Sequence, residues 1–386
     1  FWLVCCFWEP RWRAFSFVAS KREKRMGDVA LVIGGCGFLG SFIVEVLLSE
    51  IQKQRSSVGK IIAVDVRTKE TVFDDPQIEN LRQKIVTYKT IDIRNAGAVD
   101  EICHGIDTVF HCASLVEVGT CVNKKLLHDI NVLGAQNVIS ACLKNRVSRL
   151  IYISTQDVVI DCQDRYHQQE SISYPSDLIY GEYARTKQIA EKCILSANGS
   201  FHKQSNSRLA TCSVRPVVMY GERDPHNLPN VFGAAKHFPL VRFGSRDSRV
   251  NFAYVGNVAY GAVLANEELR KDSKKVGGEV FTITDDTPVN NFFDILKPFV
   301  EAKGRKVSSF NIHWSIMFFM AFVVEFVTSL LQPFITIRIP FCKGVVQGMC
   351  YKHVFNSKRA EELLGYKPPF DYPTAFKRTM NYWKDK

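Results

Sequence analysis

No Cys-x-x-Cys pair and no His/Cys cluster at metal-ligand spacing occurs in this chain, although it holds twelve cysteines in 386 residues. Thiols scattered in that way read as reduced and unpaired, which argues against a disulfide scaffold and a zinc module. No metal site is expected. Internal repeats and low-complexity tracts are also missing, so solenoid and disordered classes fall away. Basic stretches interleaved with aromatics are absent too. The 50 Lys and Arg, against 39 Asp and Glu, are spread along the sequence for a net charge of +11. Nucleic acid is therefore not an expected partner.

A secretory signal is lacking as well. The apolar run 1–8 is short and is interrupted by Glu9, Pro10 and Arg11. The chain opens on Phe1, and Met26 is followed at once by a strand pattern and a glycine loop. Residues 1–25 are accordingly expected to be an extension outside the fold. Its densest basic cluster, Lys21-Arg22-Glu23-Lys24-Arg25, reads as a solvated terminus or as a segment drawn to an anionic membrane surface.

What is present is a hydrophobic content of 46%, enough for one large core or two coupled ones. Short β-branched runs at 29–33, 61–65, 85–88, 108–112, 149–154 and 211–215 predict strands. Helical patterns at 42–51, 127–143 and 180–198 fall between them. Alternation of that kind indicates βαβ units in a doubly wound parallel sheet of the α/β class. The expected organisation is a Rossmann-type domain over 26–215 and a smaller substrate lobe over 216–386. Within the lobe, 252–258 and 279–284 look like isolated strands, and 351–386 is polar and helical.

Gly34-Gly35-Cys36-Gly37-Phe38-Leu39-Gly40 lies between the first strand and the first helix. Glycines there let a pyrophosphate approach the main-chain N–H groups at a helix N-terminus, where the dipole favours anions. The run satisfies both GxGxxG and GxxGxxG. Asp65 ends the second strand, where a carboxylate binds the adenosine ribose hydroxyls and repels a 2′-phosphate. That favours NAD over NADP, with Arg67 weighing the other way. Asp92, beside Ile93 at the end of the third strand, either reaches the adenine or simply ends the strand.

Tyr183 and Lys187 stand four apart on one helical face. A free phenol, with a pKa of about 10, is a poor base at neutral pH. A neighbouring ammonium and an oxidised nicotinamide are expected to bring that value down. The phenolate then takes a hydroxyl proton while hydride leaves the carbon. Ser154 and Thr155, at the end of the strand before this helix, supply a hydroxyl to orient the substrate oxygen.

With these residues in place, the chain resembles the extended short-chain dehydrogenases, and more closely the 3β-hydroxysteroid dehydrogenase/isomerase family. The glycine loop and YxxxK are superfamily-wide. More specific are Val109-Phe110-His111-Cys112-Ala113, Asn131-Val132-Leu133-Gly134, Arg215-Pro216, Tyr220-Gly221-Glu222, Tyr254-Val255-Gly256-Asn257-Val258-Ala259 and Asp285-Asp286-Thr287-Pro288. The resemblance implies oxidation of a steroid or sterol 3β-hydroxyl with NAD. Tyr183 would be the base, Lys187 its partner and Thr155 the hydroxyl residue, with Ser154 beside it. Ala113 and Pro216 would line the cofactor pocket, and Asn131 would belong to the active site. The resemblance also implies Δ5–Δ4 isomerisation, for which Asp285 or Asp286 could move the proton, although the same residues read equally well as a turn. Ile33 stands where the family commonly has Thr before the glycine loop.

The apolar run 314–331, inside a predicted helix 312–333, is near the length that spans a bilayer. Glu325 within it costs roughly 2–3 kcal/mol on insertion scales. Its spacing with Thr328 and Ser329 suits a helix lying in the interface or packed on the catalytic domain, and a buried core helix is the bland alternative. Membrane lipid is thus an expected partner, and the resemblance implies the endoplasmic reticulum with a cytosol-facing site. A homo-oligomer is compatible with the sequence. Two rival functions stand beside the steroid dehydrogenase. One is a decarboxylating sterol-4α-carboxylate 3-dehydrogenase, with Arg223 holding the carboxylate. The other is a non-catalytic NAD-binding regulator.

Overall fold

The computed structural model describes residues 27–386 apart from 74, 169, 171, 172, 204 and 385. The extension 1–25 and its basic cluster lie outside the described residues. Strands β1 (Asp28–Ile33), β2 (Val58–Asp65), β3 (Val86–Thr90), β4 (Thr108–His111) and β5 (Arg149–Ile153) appear where the β-branched runs predict them. With Ala210–Pro216 and Val280–Ile283 they form one seven-stranded sheet. The order runs Val280–Ile283, Ala210–Pro216, β5, β4, β1, β2, β3, and every pairing is parallel.

Alternate residues of β1 enter different cores, because successive strand side chains point to opposite faces. Ala30 and Val32 join the cluster under helix α1 (Phe38–Gln52) and the helix Val255–Lys271. Leu31 and Ile33 join the cluster under the helices Gly134–Asn145 and Gly181–Ser196. Burial on both faces explains why β1 reads as an unbroken apolar run. Strand order reverses between β1 and β4, and ligands of open α/β sheets bind outside the strand ends at such a switch point.

Beyond residue 216 two expectations fail. The segment 279–284 is not an isolated strand: Val280–Ile283 pairs with Ala210–Pro216 and completes the sheet. The run 252–258 is extended only over Phe252–Tyr254, then becomes the helix Val255–Lys271. Its β-like composition is overridden by a buried helical face of Ala259, Ala262, Val263 and Ala265. Asp285 fixes the transition, accepting from Tyr254 N at 2.7 Å and Asn257 Nδ2 at 2.8 Å.

The apolar run forms the helix Trp314–Leu331 as expected, but it is not a core helix: Ala321 and Thr328 are its only buried residues. Glu325 accepts from Lys343 N at 2.7 Å and pairs with its Nζ at 3.1 Å. Thr328 O accepts from Cys121 Sγ. Just past the helix, Thr120 N donates to Ile339 O at 3.0 Å and Thr120 Oγ1 to Ile337 O at 3.0 Å. One side of the helix is therefore tied to the loop after β4. The other side exposes Phe319, Phe326 and Leu330, each more than 60% accessible.

Candidate active site

At the end of β1 the chain turns through Gly34, whose φ of +83° lies where side chains are strained. A Cβ on Gly34 would sit 2.7 Å from Ala113 N, and one on Gly40 would sit 2.0 Å from Gly34 O. Gly35 is likewise closed in by Ala63, 2.8 Å from its missing Cβ. Gly34, Gly35 and Gly40 are thus all closed to a side chain, so the turn uses the glycines of both readings of the spacing. Gly37 is different. It is exposed and caps α1, no side chain bonds the cap, and no acidic residue occupies the first turn. The N–H groups of half-buried Phe38 and buried Leu39 thus suit a pyrophosphate, whereas Gly37 N already donates to Gly34 O at 3.0 Å. Asp65 Oδ2 is 4.0 Å from the Gly37 Cβ position, on the ribose side of such a ligand.

Ala113, half-buried, follows β4 directly below Gly34. Ile93 is buried against Gly134, whose missing Cβ would lie 2.5 Å from its Cδ1. Asp92 does not point freely at an adenine. Arg94 Nε bonds both of its oxygens at 3.0 and 2.9 Å, and those hydrogen bonds hold its carboxyl below the usual range. Pro216 is buried at the end of its strand, paired with Ile283.

The helix Gly181–Ser196 carries Tyr183 and Lys187 one turn apart toward the end of β5. Lys187 Nζ donates to Ile153 O at 2.7 Å and rests 4.4 Å above the Tyr152 ring centre. Burial pulls its pKa down to about 8, with the Glu191 charge opposing. Tyr183 departs from expectation. Burial, and then the Asp157 charge, push its phenol above the ordinary range, and only the Thr155 hydroxyl works against them. Burial thus favours the protonated phenol.

The neighbouring hydroxyls separate cleanly. Thr155 caps the turn Gln156–Val159, accepting from Asp157 N at 3.2 Å, and faces Tyr183. Ser154 Oγ is buried without a partner, while its N donates to Val214 O at 2.8 Å. Asn131 sits in a π-helical turn, Asp129–Leu133, inside the helix after β4. Its side chain bonds Leu115 N at 2.8 Å, Leu115 O at 3.0 Å and Thr186 Oγ1 at 3.1 Å. It is thereby a positioning residue rather than a catalytic one, locking the loop after β4 to the Tyr183 helix.

Three expected substrate residues are engaged elsewhere. Arg223 reaches back 178 residues to bond Glu45 Oε2 at 3.1 Å and covers the Phe42 ring at 4.2 Å. It lines a cleft of about 1240 Å³ with Gly37, Phe38, Glu45, Tyr254 and Arg378, against the glycine turn but without Tyr183, Lys187 or Thr155. Asp285, besides holding Tyr254 and Asn257, accepts from Thr287 N at 3.0 Å. Asp286 accepts from Tyr372 N at 3.1 Å. Both carboxylates therefore brace the C-terminal lobe.

Sequence reasoning missed two residues. Asp157, two positions after Thr155, has its carboxyl pushed up to about 6 by burial. Glu191 lies one turn beyond Lys187 and meets Arg215 through Nε at 3.1 Å and Nη2 at 2.7 Å. Ser213 Oγ and Tyr174 Oη donate to it at 2.6 and 2.8 Å. An acidic residue four after YxxxK was the available signal.

Comparison with known proteins agrees with this geometry. Residues 31–313 match the model of the 3-beta hydroxysteroid dehydrogenase/isomerase family. Short-chain dehydrogenase/reductase family 42E member 1 of Danio rerio is 32% identical over 355 residues, 89% of this chain and 86% of the relative. The protein of that name from Mus musculus is 37% identical over 275 residues, 68% of each. Among solved structures, the epimerase Mth375 of Methanothermobacter thermautotrophicus overlays with a TM-score of 0.67 at 17% identity, covering 93% of both chains. DesIV, a dTDP-glucose 4,6-dehydratase of Streptomyces venezuelae with NAD bound, gives 0.66 at 18% identity, covering 92% of this chain and 97% of DesIV. At such identities these overlays speak for the fold alone. The family match and the Danio rerio relative carry more: the chain belongs to the 3-beta hydroxysteroid dehydrogenase/isomerase family of extended short-chain dehydrogenases.

Proposed function

We propose that the chain is an NAD-dependent alcohol dehydrogenase that oxidises the 3β-hydroxyl of a sterol-like substrate drawn from a membrane. The observation that carries the reading is the convergence of Tyr183, Lys187 and Thr155 at the end of β5, beside an uncapped glycine turn at the switch point of the sheet. Gly37, the first turn of α1 and Asp65 would hold the dinucleotide, and NAD supplies a hydride acceptor when bound. Asp65 is the residue that favours NAD over its 2′-phosphate. NAD is also present in DesIV.

In the reaction the residues have separate tasks. Thr155 and Tyr183 hold the substrate hydroxyl between them, and the Tyr183 oxygen, once ionised, takes its proton. Buried phenol ionises only when positive charge is brought near, so base strength is switched on by loading of the site. Lys187, one helical turn on, holds its ammonium on Ile153 O at 2.7 Å at the end of β5. The substrate class rests on the family and on the exposed face of Trp314–Leu331, which is roped to the loop after β4. A helix presenting large apolar side chains beside the loop after β4 suits an interfacial seat. Endoplasmic reticulum, with the cleft on the cytosolic side, is the compartment we propose on family grounds.

The decarboxylating alternative has less support, because Arg223 Nη2 already pairs with Glu45 at 3.1 Å. Isomerisation through Asp285 or Asp286 loses support in the same way, and the reading stops at the 3-ketone. Purified protein in detergent, given 3β-hydroxysteroids with NAD or NADP, should form reduced cofactor with NAD, and Tyr183→Phe should abolish this while NAD affinity persists. Equal turnover by Tyr183→Phe would refute the assignment.

A further inference from the structure

We propose that a basic pocket on the C-terminal lobe binds the phosphate of an anionic phospholipid headgroup beside the helix Trp314–Leu331. The inference rests on the interfacial seat proposed for that helix and not on the choice of sterol.

The pocket holds about 460 Å³ and includes neither the glycine turn nor Tyr183, Lys187 or Thr155. Arg242, Arg246, Arg249 and Lys297 line it against one carboxylate, Asp294. That carboxylate is already engaged: Arg242 Nη2 meets its Oδ1 at 2.6 Å, and Asn291 Nδ2 donates to its Oδ2 at 2.5 Å. Arg249 Nη1 donates to two carbonyls of its own loop, Arg246 O at 3.0 Å and Ser248 O at 2.8 Å. No carboxylate among the described residues pairs with Arg246 or Arg249. Lys297 reaches Glu301 only at 3.7 Å, one turn along its own helix. The Nε of Arg242 is buried without an acceptor. A buried donor left unpaired costs free energy that a bound oxyanion recovers, and a guanidinium matches a phosphate edge with two parallel hydrogen bonds. Cations crowded into a concave surface focus their field on such an anion.

What lies next to the pocket points to a lipid as the source of the phosphate. The strand Leu240–Phe243 pairs in parallel with Val307–Ile312, which sets Arg242 beside Asn311 and Phe243 beside Ile312. After Ile312 the chain passes His313, the helix cap, and enters Trp314–Leu331. Asn311 lines the pocket, so Trp314 stands within about 11 Å of it along the chain. Phe310, Trp314 and Ile316, around this corner, are all exposed. Tryptophan at the end of an apolar helix sits at the level of lipid headgroups, and cations at that level attract anionic lipids. A soluble phosphate ester has no use for apolar side chains at the rim. A phospholipid does, because its acyl chains leave the pocket on that side.

The test is sedimentation of the full chain with phosphatidylcholine vesicles, with and without phosphatidylglycerol, at one ionic strength. Phosphatidylglycerol should tighten binding by wild type. Arg246→Gln and Arg249→Gln together should weaken binding to the mixed vesicles roughly 30-fold. Binding to phosphatidylcholine alone and turnover in detergent should not change. Arg246→Gln by itself should lose about fivefold; its side chain bonds no other described residue, so it reports on the pocket even where the double variant fails to fold. A charge-matched control, Lys274→Gln with Lys275→Gln, alters exposed lysines of the short helix Ser273–Val276, outside the pocket. It should bind both kinds of vesicle as wild type does. Equal losses in the control and the pocket variants would overturn the site, as would undiminished binding by the double arginine variant. Calorimetric binding of inorganic phosphate that the double variant loses, with no gain from phosphatidylglycerol, would overturn the headgroup in favour of a soluble phosphate. Wild type that ignores phosphatidylcholine yet holds the mixed vesicles through these arginines would uphold the pocket and overturn only the apolar seat.

Discussion

Glu191→Gln removes one charge from a buried pair while keeping the shape of the side chain. The partner guanidinium, Arg215, is 3% exposed and Glu191 is 0% exposed. Burial pushes the Glu191 carboxyl up, but Arg215, with Ser213 and Tyr174, more than reverses this and holds it below the ordinary value. Breaking such a pair on one side leaves an uncompensated cation, costing about 3–5 kcal/mol. With an unfolding entropy near 2 cal/mol/K per residue, a chain of this size should lose roughly 4–7 °C in Tm. The same substitution reaches the chemistry, because the Glu191 charge helps keep Lys187 protonated. The Lys187 value should therefore drop below about 8, moving the alkaline fall of kcat to lower pH. Calorimetry and a kcat profile read the two effects on one preparation. A Tm within 1 °C of wild type together with an unmoved alkaline limb would refute the reasoning.

In wild type, turnover should fall as pH rises through about 8, where the Lys187 ammonium is lost. Between that value and the ordinary lysine value of 10.5 the unfolded chain holds a proton the folded one has released, so this group makes stability rise with pH; urea midpoints at pH 8 and pH 10, compared with Lys187→Met, isolate it. Gly40→Ala puts a methyl group 2.0 Å from Gly34 O and should unfold the turn, whereas Gly37→Ala, with Gly34 O at 3.1 Å, should stay folded and bind NAD at least tenfold more weakly, as read by tryptophan quenching. The double substitution Phe319→Asp, Phe326→Asp changes side chains that are 66% and 61% exposed. It should release the protein from phospholipid vesicles in a flotation assay while detergent-phase turnover persists, and undiminished flotation would count against the interfacial seat.

The parts of this molecule legible in the sequence are those whose causes are local. A glycine turn between a strand and a helix, and Tyr183 and Lys187 one helical turn apart, carry their geometry within a few residues. Thr155 and Ser154 were separable only once Val214 was seen to bond the Ser154 backbone from another strand. Arg223 was unreadable for a stronger version of the same reason: its partner, Glu45, is 178 residues away, and a free arginine and a committed one look alike in sequence. Asp285 and Asp286 stayed open between two roles, because a carboxylate that braces backbone N–H groups has the same letter as one that moves protons. The upward push of burial on the Tyr183 phenol was not legible, since proximity to a lysine is visible in the spacing and burial is not.

The sheet is finished late. Its last strand, Val280–Ile283, arrives 64 residues after Pro216, the end of the strand it covers. Until that segment has been synthesised, Ala210–Pro216 presents an open row of peptide groups, the kind of edge that recruits other chains. A fragment ending near residue 216 would hold the glycine turn, Tyr183 and Lys187, yet it should behave as a sticky intermediate rather than a working half-enzyme. Cofactor-binding and substrate-binding portions are thus sewn together, and selection on either one must act through both.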